Sequence, residues 1–425
     1  MNFPRPTTIA FTLLSVWALT GLSCTPGAGL GQAPAQESGP TLTMWGLWQE
    51  SGDVSEIISA FQAQTGIGVE YKKIASVADY ERQLIEALAE GRGPDIFVIH
   101  HSWVNNHRAL LAPAPQEVVD EKAVHEEYVE VVTDDLIRDG KVYALPHSVD
   151  SLVLFYNKDV FAANGIARPP RTWDEFQQIV ERLTSITRFG TIERSAAALG
   201  TAKNINRAPD IVQLLLLQSG VPIAGADGRV SINNQTGTRA LQFYTDFANK
   251  SKKVYTWDLQ QDYSIDAFAE GDTAMMLGYS YHVPVVRAKN PRLQFAIAPI
   301  PQIADSQPVT FASYWPFAVS KASGNATAAW QFIRFATSAA QAAALNAAAG
   351  TPPAHRLAVE QQLRDPLFGT FAQQALTAKS WRRPDPVAVD AIFNTMIDSV
   401  ITGAATIDES MARAETQLNQ ATAQP

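Results

Sequence analysis

The chain has 425 residues, 46% of them hydrophobic and 18% charged, a composition that excludes a disordered or fibrous protein. Its net charge of −9 argues against nucleic acid or an anionic membrane surface as a partner. A single cysteine excludes a disulfide within the chain, and the length beyond residue 40 exceeds what one hydrophobic core usually organises, so two lobes are expected.

The first residues, MNFPRPTTIAFTLLSVWALTGLSC, set one cation, Arg5, before an apolar run from Ile9 to Leu22 that is short for a membrane span. Residues 1–23 read as a signal peptide. The ending Thr20-Gly21-Leu22-Ser23-Cys24 resembles a bacterial lipobox, which implies acylation of Cys24; Gly21 departs from the leucine usual three places before the cysteine. The alternative is an ordinary secretory signal that leaves a free thiol. Residues 24–40, rich in Gly, Pro, Ala and Gln, read as a flexible tether. Later segments fall short of the roughly 20 apolar residues of a spanning helix. The expectation is a secreted protein held by its lipid anchor alone on the outer face of the bacterial cytoplasmic membrane.

Thr41 to Trp45 alternates as a strand, and Gly46-Leu47-Trp48 leaves it as a loop. Val54, Ile57, Ile58 and Phe61 have helical spacing, closed by Thr65-Gly66. Ile67–Tyr71 reads as a strand, Asp79–Glu90 as an amphipathic helix, and Ile96–Ile99 as a continuous apolar strand of the kind buried in a parallel sheet. This βαβα alternation predicts an α/β lobe whose ligand-facing strand ends are Trp45–Trp48 and His100–Trp103. Leu152–Tyr156 is a second buried strand, with Asp150 and Ser151 at its entrance and Asn157-Lys158-Asp159 turning out of it. Thr172 with Glu175 three residues on predicts a capping box.

Helices are predicted for Ile211–Gln218, Thr238–Phe247 and the segment ending at Glu270-Gly271, and a turn at Gly225–Gly228. Thr273–Gly278 reads as a buried strand leading to Tyr279-Ser280-Tyr281. Phe295–Ile300 and Tyr314–Ser320 read as further strands, Ala328–Ala349 as alanine-rich helix, and Val387–Gln420 as closing helix.

Several stretches, in this order, resemble the family-1 extracellular solute-binding proteins of ABC importers. They are FQAQTGIGVEY, EALAEGRGPDIFVI, YALPHSVDSLVLFYNKDVFAANGIARPPRTWDEF, DYSIDAFAEGDTAMMLGYSY, PFAVSK, AAWQFIRFATS and ITGAATIDESMARAETQL. The likeness to the family's maltose-binding members runs along nearly the whole chain after the tether. It implies an α/β, two-lobe, periplasmic-binding-protein-like fold of type II, with discontinuous lobes joined by hinge strands. Carried onto this chain, lobe one is residues 41–147 and 314–356, and lobe two is residues 150–311 and the C-terminal helices of 360–425. The ligand is then expected in the cleft between them.

A neutral sugar needs planar polar groups for its hydroxyls and aromatic platforms for its C–H faces. Asp150 suits the first role and matches a ligand-binding acid of the family, with a turn-capping carboxylate as the alternative. Trp45 and Trp48 leave the first strand at the cleft edge, where either stacking or core packing would place them. Ser102 and Trp103 occupy a family contact region in which the maltose-binding members have Asp-Arg, so the chemistry there must differ. Tyr281 aligns with a stacking tryptophan, and Tyr279 and Ser280 share its strand end. Trp315, with Tyr314, enters the last crossing. Arg356 with His355, and Trp381 with Arg382, are loop candidates. Asn206, Arg207 and Asp210 reach either a polar ligand or only solvent at a helix start. His100 and His101 are adjacent on a strand end, so they would point in opposite directions and share no metal ion.

The resulting expectation is a lipoprotein that captures a mono- or oligosaccharide and delivers it to an ABC permease, acting as a monomer, without a cofactor and without catalysis. The alternatives are the same fold binding a polyol or glycerophosphodiester, and a surface-anchored hydrolase, which lacks a GxSxG elbow.

Overall fold

The computed structural model describes residues 39–74, 77–225, 227–383 and 385–422. The expected signal peptide, Cys24 and all but the last two residues of the tether lie outside them.

Strand Thr41–Gly46 buries Leu42 and Met44 and leaves Thr41 and Thr43 exposed, the alternation read in the sequence. Helix Ser51–Thr65 turns its buried Val54, Ile57 and Phe61 inward. It begins with reciprocal bonds between Glu50 and Asp53 and ends at Gly66, whose φ of 75° lets its N–H reach the Gln62 carbonyl. Strand Gly68–Lys73 pairs in parallel with one side of the first strand and Ile96–Val98 with the other. Two antiparallel strands, Phe317–Val319 and Ala144–Leu145, complete this five-stranded sheet. The second five-stranded sheet has the order Phe295–Ala298, Val153–Asn157, Thr273–Gly278, Ile192–Ala197, Ser185–Ile186. Its Val153–Asn157 strand runs antiparallel to both neighbours.

Each sheet carries its own core. The first draws on residues from Leu42 to Val149 and from Ala312 to Ala336, the second on residues from Leu152 to Phe311 and from Val389 to Leu418. Large side chains such as Phe155 and Trp257 in the second core and Phe97 and Trp330 in the first are fully buried, each worth about 1.5–3 kcal/mol. Val149 belongs to the first core and Leu152 to the second, Phe311 to the second and Ala312 to the first, Ala378 to the first and Trp381 to the second. The chain therefore passes between cores three times. The three passages form one small sheet, in which Thr310–Ser313 lies between Asp150–Ser151, antiparallel, and Ala378–Lys379, parallel. Helix Gly369–Ala375 gives Phe371 to the second core and Ala372 and Ala375 to the first.

Several expectations shift in detail. The predicted strand Tyr314–Ser320 starts only at Phe317, because Pro316 has no N–H for the ladder and interrupts the run. The helix predicted from Ile211 begins at Ala208, with Pro209 in its first turn. The capping box at Thr172 is half formed: Thr172 accepts from the Glu175 N–H, but Glu175 reaches past it to the Arg171 N–H and the Arg168 guanidinium. Among the described residues, no helix is long and apolar enough to cross a membrane.

Candidate functional site

The first sheet ends in an aromatic wall. Trp315, just before Pro316, meets Trp48 edge-on at 4.9 Å, Trp103 at 4.9 Å and His100 at 5.2 Å, with Tyr80 at 6.3 Å. Trp103 is buried, whereas Trp48 is 49% exposed and offers the wall's free ring. Trp48 is held from behind: the Tyr71 hydroxyl donates to the Gln49 carbonyl at 2.7 Å. Tyr71 can lie there because residue 46 is glycine; a Cβ at Gly46 would stand 2.4 Å from the Tyr71 oxygen.

The second sheet supplies a second aromatic group. Strand Thr273–Gly278 runs into Tyr279, Ser280 and Tyr281. The Tyr279 and Tyr281 rings lie 13° from parallel with centroids 5.7 Å apart, Tyr279 buried and Tyr281 47% exposed. His282 braces them. Its Nδ1 accepts the Tyr279 N–H at 2.9 Å, and its Nε2 lies 2.9 Å from Asn206 Oδ1, so the proton resides on Nε2. Burial lowers this imidazole to about 4 and keeps it neutral. Asn206 in turn donates to the Tyr263 hydroxyl at 2.6 Å.

The two halves meet over the crossing strands, where Asp150 and Ser313 are register partners. The half-buried Asp150 carboxylate accepts the Ser151 N–H at 2.9 Å, the Ser280 N–H at 2.9 Å and the Ser280 hydroxyl at 2.7 Å. Burial raises it to about 7, against the pull of those hydrogen bonds. Ser313 Oγ lies 3.2 Å from His100 Nε2 and 3.3 Å from Arg207 Nη2, so one hinge hydroxyl joins the loop after strand Ile96–Val98 to the start of helix Ala208–Gln218. The Ser102 N–H and hydroxyl converge on His100 Nδ1, at 3.4 Å and 2.6 Å, which leaves Nε2 as the proton-bearing nitrogen. Burial holds His100 well below the ordinary imidazole value, and the neighbouring His101, Arg383 and Arg207 act in the same direction.

Of the residues anticipated from sequence, Trp48, Ser102, Trp103 and Trp315 gather on the first side of the site. Asp150, Tyr279, Ser280 and Tyr281 gather on the second side and the hinge. Ser102 is buried and touches His100 instead of open space. Trp45 stands apart beside Lys72, whose ammonium lies 5.0 Å from its ring, and has no ring contact to the wall among the described residues. Arg356 begins helix Arg356–Gln362, and its guanidinium forms no hydrogen bond or ion pair with another described residue. Its neighbour His355 caps that helix and sits 3.4 Å from Glu127. Trp381 is buried and donates to Gln213, and Arg382 is exposed.

The two adjacent histidines do not alternate as strand residues would, because His101–Trp103 forms a 3-10 turn. Their rings lie 4.4 Å apart and serve different partners. His101 stacks on Tyr314 at 4.4 Å and lies 2.8 Å from Asp135, which also accepts hydrogen bonds from Tyr314 and Ser380. Burial alone would raise Asp135, but His101 and these donors hold it below the ordinary carboxylate value. Sequence reading placed His100 at a ligand-facing strand end and weighed it only as a metal ligand, and it missed Tyr80, Ser313 and Arg383, none of which lies in a recognisable motif.

Elsewhere, a cavity of about 70 Å³ lies among Met44, Gln49, Asp53, His147, Phe317 and Leu345. It has room for a few waters and is far below the ~300 Å³ at which small-molecule pockets begin.

Residues 56–365 match the family model described as bacterial extracellular solute-binding protein. The chain belongs to that family. Among curated relatives, the maltotriose-binding protein of Pyrococcus abyssi is 23% identical over 270 residues, 61% of this chain and 54% of the relative. The diacetylchitobiose binding protein DasA of Streptomyces coelicolor is 25% identical over 263 residues, 60% of this chain and 59% of the relative. The matches thus span little more than half the length of these two relatives. Among solved structures, the cyclic alpha-maltosyl-1,6-maltose binding protein of Arthrobacter globiformis superposes with a TM-score of 0.77 at 20% identity, covering 90% of this chain and 99% of that one. The sugar-binding protein MalE of Xanthomonas citri gives 0.76 at 20% identity, with 90% and 97% covered. The fold of this solute-binding protein is accordingly the two-lobe α/β fold of the MalE-like proteins.

Proposed function

We propose that this solute-binding protein captures a carbohydrate between its lobes and delivers it to the permease of an ABC importer. The observation that carries this reading is that two half-exposed rings, Trp48 on the first sheet's side and Tyr281 on the second's, are each tied through their neighbours to one hinge hydroxyl, Ser313. Sugar rings present C–H faces to aromatics and hydroxyls to polar groups. The hinge line has matching chemistry: a carboxylate at Asp150, hydroxyls at Ser280 and Ser313, and a guanidinium at Arg207. Relatives whose names record binding of maltotriose or diacetylchitobiose support the same ligand class. They are binding proteins, which supports capture without catalysis.

The mechanism follows from three short crossing strands. A ligand that touches both lobes favours their closed setting, and the hinge strands absorb the rotation. In this reading lobe one comprises residues 41–147 and 314–356. Lobe two comprises residues 150–311 and the helices after the third crossing at Ala378–Lys379. Asp150 lies at the first crossing, where its capping of Ser280 orients the Tyr281 platform. We further assign Cys24 as the acylated residue and a monomeric, membrane-tethered protein as the working form.

Binding stabilises a fold by RT ln(1 + [L]/Kd), about 2.7 kcal/mol at a hundredfold excess over Kd. A thermal-shift screen of neutral mono- and oligosaccharides is expected to give at least one clear rise in Tm, with the sugar recovered unchanged. No rise across the panel would overturn the carbohydrate reading. A cleaved sugar would overturn the non-catalytic one. Mass spectrometry of purified material treated with lipoprotein signal peptidase tests the anchor.

A further inference from the structure

Behind the second-lobe face of the site lies a buried carboxylate, Asp210, in the first turn of helix Ala208–Gln218. It is 1% exposed, so no cleft ligand reaches it. Its Oδ2 accepts the Tyr279 hydroxyl at 2.8 Å and lies 2.8 Å from Arg207 Nε. Both partners point onward into the site. Arg207 passes over the Tyr279 ring at 5.7 Å and extends Nη2 to the hinge hydroxyl of Ser313. Tyr279 underlies the exposed ring of Tyr281.

Two observations separate this carboxylate from an ordinary charge-balancing acid. The other nearby cation, Arg383, is 3% exposed and already pairs with Asp390 at 3.2 Å, while Asp210 is 4.0 Å from it. Asp210 is thus committed to Arg207. Arg207 itself has φ 60° and ψ 30°, a left-handed conformation that is strained for a residue with a side chain. Such strain persists only where neighbours over-determine it, and here the ion pair with Asp210 and the bond to Ser313 hold the guanidinium at both ends.

We propose that Asp210 is the positioning residue of the second-lobe face: it aims the Arg207 guanidinium and, through Tyr279, the Tyr281 platform, so that ligand selection depends on a carboxylate the ligand never meets. Arg207 is then the directional donor of the site, placed to give a hydrogen bond to a ligand oxygen beside Ser313 and His100. This deepens the ligand-capture reading, but its central claim, a preset guanidinium, holds independently of which ligand binds.

The test has two arms on the full chain. Arginine-selective 15N NMR of the wild type is expected to show an exchange-protected Arg207 Nε–H, assigned by its loss in Arg207→Lys. In Asp210→Asn that resonance is expected to merge with those of exposed arginines, and its persistence unchanged would overturn the proposal. In the second arm, maltotriose and N,N′-diacetylchitobiose are titrated by calorimetry. Asp210→Asn and Arg207→Lys are each expected to weaken binding about tenfold, and the double variant no more than the worse single one. Independent losses that multiply in the double variant would assign Asp210 a merely structural role. If neither sugar binds the wild type, the choice of ligand class fails, and the NMR arm alone decides the positioning claim.

Discussion

Asp150→Asn is the substitution whose consequence can be worked furthest. In the folded protein burial places the Asp150 carboxyl at about 7, whereas an ordinary aspartate titrates near 3.8. Between those values the folded protein keeps a proton that the unfolded chain has released. The unfolded state then binds fewer protons than the native one, so stability falls as pH rises. The contribution is fully present below about pH 3.8, is lost progressively up to about pH 7, and is flat above. Each pH unit is worth about 1.4 kcal/mol, so the whole span approaches about 4 kcal/mol, an upper bound because the carboxylate keeps some solvent contact.

Asparagine fills the same volume, cannot titrate, and turns one acceptor into a donor beside the Ser280 N–H and hydroxyl. That mismatch costs about 1–3 kcal/mol at every pH. The assay is urea unfolding of wild type and variant at pH 5, 6, 7 and 8. The stability difference is expected to move in favour of the variant by about 1.4 kcal/mol per pH unit from pH 5 toward 7 and then level off. Parallel stability curves would refute the reasoning, because a carboxyl raised this far cannot be removed without removing its slope.

Other substitutions test the remaining parts of the site. Trp48→Ala and Tyr281→Ala are each expected to weaken sugar binding by about 1–2 kcal/mol in calorimetry, with little change in Tm, since both rings are about half exposed. Asp135→Asn replaces a buried carboxylate that lies 2.8 Å from His101 and accepts from Tyr314 and Ser380 with an amide that cannot accept from all of them, so a loss of about 1–3 kcal/mol is expected at pH 7. Because the Asp135 value is held below the ordinary one, its contribution is present above that value and lost as pH falls, and acid unfolding of the variant should be shallower than that of the wild type. Gly46→Ala brings a methyl against the Tyr71 ring and is expected to break the Tyr71–Gln49 bond, costing about 1 kcal/mol of stability by denaturant titration and weakening ligand binding through Trp48.

Much of this architecture was legible in the sequence because burial leaves a local trace. Ile96–Val98 and Val153–Asn157 are apolar runs that only a doubly covered strand explains, and both lie inside their sheets with neighbours on either side. Gly66 and Gly271, which end helices with φ of 75° and 89°, mark their turns without any tertiary information. Trp315 joins the aromatic cluster with Trp48 and Trp103, yet its strand was misplaced by three residues, because a proline inside a hydrophobic run interrupts the ladder without changing the hydrophobic pattern.

What escaped the sequence is set by partners distant along the chain. Trp45 and Trp48 look alike as aromatics near a strand end, but Trp45 is still within the ladder, paired with Lys72, and only Trp48 has left it. Nothing local separates an aspartate that meets a ligand from one that holds the residue meeting it. Asp150 is 130 residues from Ser280, and Asp210 is 69 from Tyr279, so each role exists only once the crossing strands have brought the second sheet against the hinge. The same logic explains why Ser313 and its link to His100 were overlooked: a histidine and a serine 213 residues apart become one hydrogen-bonded bridge only at the register that pairs Ser313 with Asp150. In this fold the apolar code specifies two lobes locally. The polar code that makes a site of them is written in pairs across the hinge, so the double variant of Asp210 and Arg207 tests what neither single substitution can.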